Sequence, residues 1–339
     1  MTRKLYPEFH KALLEQTLYP SATRRIKFEE TRLSYLYKTG DHVFKIAKPS
    51  PHMSSLALKE RYISDALRLG QVWGGDCYEA VIPIVRAGES YALSGDGEIV
   101  DYALRMKQLS AHYFGHELLV AGKLTPTLVG RVARFLADQH AAHPVMEHAA
   151  ELGHAEHFRS LFEEVGYQVK KYVGQTITEA MLDIIVRPVE RFVDDGRKLF
   201  LRRQKRGRTV EGHGSFVPEH VYLKGKDVIA ITPIDTPPKF RQLDAANDVA
   251  SFCNALHMAN AAESEALFLK RYMSAARDRD LLKIVPAFEV LQALRTGLEL
   301  CERRVEETEG APEHAEFTRK AQEQFNLAVH RAREVPRDL

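Results

Sequence analysis

The sequence predicts an α+β protein built as two lobes, a small antiparallel β lobe followed by a larger helical lobe. Three observations predict it. Short alternating apolar runs separated by glycine turns crowd the chain up to Met106. Beyond Met106 the apolar spacing becomes helical. One hairpin interrupts the helical part, between His220 and Thr232. The expected division is 1–106 for the β-rich lobe, with one inserted helix, and 107–339 for the helical lobe, which carries the hairpin segment 213–232.

Residues 7–18 place Phe9, Leu13, Leu14 and Leu18 at helical spacing and stop near Pro20. Leu33, Tyr35 and Tyr37 alternate, Thr39-Gly40-Asp41 makes a turn, and Val43-Phe44-Lys45-Ile46 returns. Leu58, Tyr62, Ala66 and Leu69 form one stripe of a helix over 54–69. Strands are expected at Tyr78–Val85, Tyr91–Leu93 and Ile99–Met106, with Gly88 and Gly95-Asp96-Gly97 between them.

In the helical part, Thr125-Pro126 reads as a hydroxyl cap with proline at the first helical position. The helix it opens ends before Pro144. Further helices are expected over 154–174 and over 178–205, the second interrupted at Pro188. After His220–Leu223, the turn Lys224–Asp227 and Val228–Thr232, helices resume near Asp244, with Gly310-Ala311-Pro312 as the late break.

Of the 339 residues, 45% are apolar and 28% charged, which excludes a disordered chain, a collagen and a disulfide scaffold. Lys plus Arg total 48 and Asp plus Glu 46, a net charge of only +2. This balance argues against a whole-chain nucleic-acid or membrane binder. Cys77, Cys253 and Cys301 are distant and odd in number, which points to a reducing compartment. No signal-like start and no membrane-length apolar run is visible, so a cytoplasmic location is expected.

Two segments carry the chemistry. Strand alternation puts Val43 and Lys45 on one face, and the pair resembles the small apolar residue and lysine that a kinase sets under adenine and on the phosphates. The helix that follows offers Asp65 and Glu60 as carboxylate partners for Lys45, and the same resemblance implies a hinge at Arg105–Leu109 with Met106 and Lys107 at the nucleotide. The second segment is Glu211-Gly212-His213-Gly214-Ser215-Phe216-Val217-Pro218-Glu219-His220 with its hairpin, followed by Asp244 and Asp248-Val249-Ala250.

This second segment resembles the catalytic loop of the aminoglycoside-phosphotransferase-like kinases, His-Gly-Asp-Leu-His-x-x-Asn followed by a hairpin. The resemblance covers most of the chain and is nearest to a bacterial branch of phosphotransferase-like proteins. It implies a protein-kinase-like fold, an ATP and Mg²⁺ site, and a nucleotide or anion held in a cleft between the lobes. It also implies a structural role for His213. The departures are specific. The family's base falls on Ser215, too weak a base near neutral pH. Its metal-binding Asn falls on His220, and its metal-binding Asp on Thr232. Asp235 lies three residues further on, in Ile234-Asp235, and is the rescue candidate for a metal carboxylate.

Two other clusters stand out. His140, His143, His148, His154 and His157 read as a histidine-rich helical surface rather than a Zn²⁺ site. Arg202, Arg203, Lys205, Arg206 and Arg208 read as a solvated helix end. Arg303–Arg333 reads as an exposed amphipathic pair of helices. The leading expectation is therefore a kinase-like binding or regulatory protein without phosphoryl transfer. The alternative is an active phosphotransferase on a small-molecule hydroxyl, with Asp235 as metal ligand. A third is a binder of nucleic acid or an acidic partner through Arg202–Arg208. Membrane association is not expected, nucleic acid is disfavoured, and no protein partner is identified.

Overall fold

The computed structural model describes residues 6–19, 25–31, 33–50, 53–145, 153–232, 237–307 and 311–337. The chain divides into two compact units, Met1–Phe114 with Tyr222–Asp235, and Gly115–Val221 with Thr236–Leu339.

The first unit is built on six antiparallel strands: β1 (Lys27–Glu30), β2 (Ser34–Lys38), β3 (His42–Ala47), β4 (Tyr78–Ala87), β5 (Ser90–Leu93) and β6 (Glu98–Lys107). Their order is β1-β2-β3-β6-β4-β5. Helix α1 (Leu56–Gly74), capped by the Ser55 hydroxyl on the Leu58 N–H, lies against β4 and β6. Alternation sorts the side chains into two clusters. Tyr35, Tyr37, Phe44, Ile46, Ile84 and Ala103 pack with Phe9, Leu13 and Tyr19. Ala47, Tyr102, Leu104 and Met106 pack with Ile63, Ala66 and Tyr78.

Residues 7–18 do not form the expected helix. They make three 3₁₀ turns, Glu8–His10, Ala12–Leu14 and Gln16–Leu18. The Leu13 carbonyl, which an α-helix would give to the N–H four residues on, accepts the Tyr19 hydroxyl at 2.8 Å. A segment this short is a marginal helix in water, so packing onto the aromatic sheet face decides its form. Strand β1 escaped the sequence reading because only Phe28 is apolar in Lys-Phe-Glu-Glu.

The second unit is helical, beginning with α2 (Gly115–Val120) and α3 (Pro126–Ala142). The latter is capped by Thr125 as expected. Helix α4 (Ala155–Val169) follows, then α5 (Glu179–Asp195) and α6 (Arg197–Lys205). Helix α5 runs through Pro188; the carbonyl that Pro188 leaves without a partner belongs to Ile184, 46% exposed, where water can take it. The break comes instead at Gly196.

Strand β7 (Thr209–Glu211) leads to the motif loop and to the hairpin β8 (Val221–Lys224) and β9 (Asp227–Ala230). From Tyr222 onward this hairpin groups with the first unit, whereas the sequence expectation put it with the helices. Ile229 and Ile231 pack into the cluster beneath α1, which explains the grouping. Strand β10 (Gln242–Asp244) pairs antiparallel with β7. Helices α7 (Ala246–Met258), α8 (Ala262–Ala276), α9 (Leu281–Glu306) and α10 (Pro312–Ala332) complete the unit. Within Arg303–Arg333 the amphipathic pattern is present: Ala321, Phe325, Leu327 and Ala328 of α10 are buried, while Val305 and Glu306 at the end of α9 are exposed. Most of α9 is buried, and α10 seats Phe325 against Gly297, where an added Cβ would meet the ring at 2.5 Å.

Candidate functional site

In the first unit, Val43 lies opposite Met106 and Lys45 opposite Leu104 across β3 and β6. Directly opposed residues share a sheet face. Met106 and Leu104 belong to the α1-side cluster, so Val43, Lys45 and Met106 stand on that face. Val43 and Lys45 are half-buried, while Lys107 is exposed and lies opposite His42. The Asp65 side chain on α1 is 45% exposed and bonds Arg68 at 2.9 Å. Glu60 hydrogen-bonds the Tyr102 phenol. Sequence reasoning missed the ion pair from α1 to the sheet, Lys59 Nζ to Asp101 Oδ2 at 2.6 Å, with side chains 17% and 6% exposed.

Thr232 is buried at the end of the hairpin. Its N–H donates to the Tyr78 hydroxyl oxygen at 2.8 Å, and its own hydroxyl donates to the same oxygen at 3.3 Å. Tyr78 is held there by α1. A Cβ on Gly70 would lie 2.1 Å from the ring, and one on Gly74 2.7 Å from it, so only glycine admits the aromatic so close to the helix. Burial pushes the Tyr78 phenol up, so it stays a neutral hydroxyl. Asp235 lies outside the described residues.

The motif loop in the second unit is organised by Asp248. Its Oδ2 accepts the His213 N–H at 2.7 Å and its Oδ1 accepts the Gly214 N–H at 2.8 Å. Gly214 has φ 77°, a conformation that lets successive N–H groups converge on one anion. His140 Nε2, from α3, donates to Asp248 at 3.1 Å, and its Nδ1 meets the Tyr272 hydroxyl at 2.7 Å. Desolvation works to raise Asp248, but the hydrogen bond and charge of His140, with His213, outweigh it and hold the carboxyl below its usual range. His213 is 2% exposed, and its ring packs on Phe216 and His220. Ser215 is half-buried, and its carbonyl accepts His220 Nδ1 at 2.8 Å.

The basic cluster before the loop is a solvated helix end only in part: Lys205 and Arg206 are exposed, but Arg203 is turned inward. Arg203 is 0% exposed. Its Nε and Nη2 donate to Asp244 at 2.7 and 2.8 Å, while Nη1 and Nη2 donate to Asp278 at 2.7 and 2.8 Å. Arg202 and Arg206 both bond Asp280, and Arg208 donates to the Ala276 carbonyl. Lys205 is exposed. The histidine surface is corrected at one position: His140 is 4% exposed inside the Asp248 network, whereas His143, His154 and His157 are half-buried and His148 lies outside the described residues. A further cation near the loop escaped sequence reading. Arg295 of α9 lies 4.0 Å over the Phe240 ring, and its Nη1 donates to the Gly214 carbonyl at 3.5 Å. Burial pushes its guanidinium down to about 10, which leaves it charged at neutral pH.

The described donor set does not fit Mg²⁺. The positions that the resemblance makes metal ligands offer the Thr232 hydroxyl, spent on Tyr78, and the His220 imidazole, bonded to Ser215. Mg²⁺ takes anionic hard oxygens in octahedral array. Among the described residues, Cys253, Glu265 and Glu289 do group within 4.8 Å. Arg331 already supplies the cation there, bonding Glu265 and lying 3.6 Å from Glu289.

No protein-family model and no curated protein matches the chain. Solved structures do. A putative aminoglycoside phosphotransferase from Ralstonia eutropha JMP134 superposes at TM-score 0.56 with 13% identity, covering 95% of this chain and 96% of that one. The choline kinase from Cryptosporidium parvum Iowa II superposes at 0.55 with 11% identity, covering 94% and 93%. A choline/ethanolamine kinase family protein from Mesorhizobium loti gives 0.53 and 9%, covering 96% and 98%. At these identities the likeness shows the fold, which is the protein-kinase-like fold of aminoglycoside phosphotransferases.

Proposed function

We propose that this chain, a bearer of the aminoglycoside-phosphotransferase fold, is a binding or regulatory protein that takes an anion or a bare nucleotide without a divalent metal. One observation carries the reading. The loop scaffold is intact, with Asp248 holding His213 and Gly214, yet Ser215, His220 and Thr232 offer no carboxylate or amide and are bonded to local partners. A hydroxyl in place of the base cannot take a proton from an acceptor alcohol near neutral pH. On this reading Val43 and Met106 would lie against a base and Lys45 against phosphates. Arg295 adds a positive charge beside the loop, which favours an anion. Asp244 and Asp278 take Arg203, and Asp280 takes Arg202 and Arg206, which lessens the charge available to nucleic acid there.

A second reading is active phosphoryl transfer to a small-molecule hydroxyl, with Asp235 as the metal carboxylate. It is favoured by the neighbours' names, which are those of kinases, including an amicoumacin kinase in complex with AMP-PNP and Ca²⁺ at TM-score 0.52. Thermal-shift titration with ATP, with and without Mg²⁺ or Mn²⁺, separates the two. A ligand that binds the native state raises stability by mass action. Stabilisation by ATP independent of metal, with no ADP formed, supports the first reading. Metal-dependent stabilisation with turnover supports the second.

A further inference from the structure

We propose a second anion site in the helical unit, remote in sequence from the motif loop, for a phosphate monoester with an apolar body. Helix α5 packs against α10 and the segment after it, and a pocket of about 500 Å³ lies between them. Among its described lining residues, Arg187, Arg191, Arg333 and Arg337 stand against a single acid, Asp183. Arg187 and Arg191 are one helical turn apart on α5, and Arg333 and Arg337 have the same sequence spacing beyond α10.

The charge is not cancelled within the pocket. Asp183 bonds Arg187 at 3.0 Å, which leaves three guanidiniums in excess of the acid. Glu334, next to Arg333 in sequence, is turned to Arg331 at 3.0 Å and His330 at 3.7 Å and does not line the pocket. Arg333 also lies at the C-terminal end of α10, where a cation offsets the helix dipole. That role accounts for one arginine of the four and not for the two on α5. The floor is apolar: Ile184, 46% exposed, lies with Pro188, the buried Val335 and Pro336.

Planar guanidiniums bind phosphate through paired, charge-assisted hydrogen bonds. Three excess positive charges suit a dianion better than a monocarboxylate, and the proline-lined floor suits a flat apolar group. The volume falls within the range of small-ligand pockets. The ligand class is therefore a small organic phosphate.

Titration calorimetry on the full chain tests the site, with phenyl phosphate as the probe and inorganic phosphate and benzoate as controls. Phenyl phosphate should bind with Kd below about 1 mM and tighter than either control. Arg191→Glu and Arg337→Glu, both on exposed positions, should each weaken it at least about tenfold, with unchanged thermal unfolding in ligand-free buffer. Lys45→Ala should leave it intact, which separates this site from the proposed nucleotide residues. Equal binding in the charge-reversed variants would overturn the site. So would phenyl phosphate binding no better than inorganic phosphate, or binding of poly(U) or polyglutamate lost in those variants while phenyl phosphate does not bind. The last outcome would make the patch a macromolecular surface instead.

Discussion

The Asp248 carboxylate accepts the main-chain N–H of His213 at 2.7 Å, across a sequence separation of 35 residues, and the loop takes its shape from that bond. The same carboxylate takes Gly214 N–H and His140 Nε2. The loop is thus held by a residue outside it, and its form does not depend on what stands at Ser215.

Asp248→Ala should therefore unfold the loop rather than tune it. It takes the acceptor from two buried N–H groups and from His140 Nε2, each costly to leave unpaired. A loss of about 3 kcal/mol or more is expected in urea unfolding. The folded-state carboxyl is depressed below its ordinary value near 3.8, so its stabilisation is present above that pH and is lost as pH falls through the lower folded value. The wild type should lose stability relative to Asp248→Ala only in that acid range. Equal stability of the two proteins at neutral pH would show that the bonds contribute nothing.

Arg203 bridges Asp244 and Asp278 from a position without solvent exposure. Arg203→Met leaves Asp244 without its cation and Asp278 with only Arg208 at 3.8 Å, and a loss of about 3–5 kcal/mol is expected. Lys205→Met, on an exposed neighbour, should change stability by less than about 0.5 kcal/mol. Chemical denaturation of both variants checks the contrast, and similar midpoints for the two would contradict the internal role of Arg203.

Glu289 lies 3.6 Å from Arg331 in a cluster that also holds Glu265 and Cys253, with Glu334 on the same guanidinium. Desolvation dominates and, with the neighbouring acids, pushes its carboxyl up to about 8 against the pull of Arg331. A raised folded value means stability that is full below about 4.5 and is lost as pH rises through about 8. Glu289→Gln keeps the shape and removes the titration. Its melting temperature should therefore hold between about pH 5 and pH 9 while that of the wild type falls. Parallel pH profiles would refute the assignment.

Gly70→Ala tests the seat of Tyr78. Alanine is the better helix former by about 1 kcal/mol, yet its Cβ would meet the ring at 2.1 Å. Overpacking costs about 1–3 kcal/mol, so a net loss is expected together with increased exposure of the tyrosine in fluorescence quenching. A gain in stability would mean that the ring is not confined as described.

Much of the first unit was legible because its cues are local. The turn at Thr39-Gly40-Asp41 and the alternation through Lys45 gave β2, β3 and the shared face of Val43 and Lys45. The Thr125 cap gave the start of α3. What escaped depends on partners far along the chain. Arg203 meets Asp244 and Asp278 across 41 and 75 residues, and His140 meets Asp248 across 108. A run of arginines or histidines looks the same in one dimension whether it faces water or a buried carboxylate. The pairing of β7 with β10 was invisible for a related reason, since each strand has only three residues and no alternation to show. In the motif loop, the residue types at Ser215, His220 and Thr232 were readable, but their local partners, His220 on Ser215 and Tyr78 on Thr232, were not.

The metal dependence of nucleotide binding tests the central claim most directly. Calorimetric titration of ATP into the wild type should give the same affinity with Mg²⁺ or Mn²⁺ as with EDTA. The triple variant Ser215→Asp, His220→Asn, Thr232→Asp should acquire a metal-dependent increase of at least about tenfold. Tight, metal-dependent ATP binding by the wild type, abolished by Asp235→Asn, would contradict the account and make the chain a working phosphotransferase.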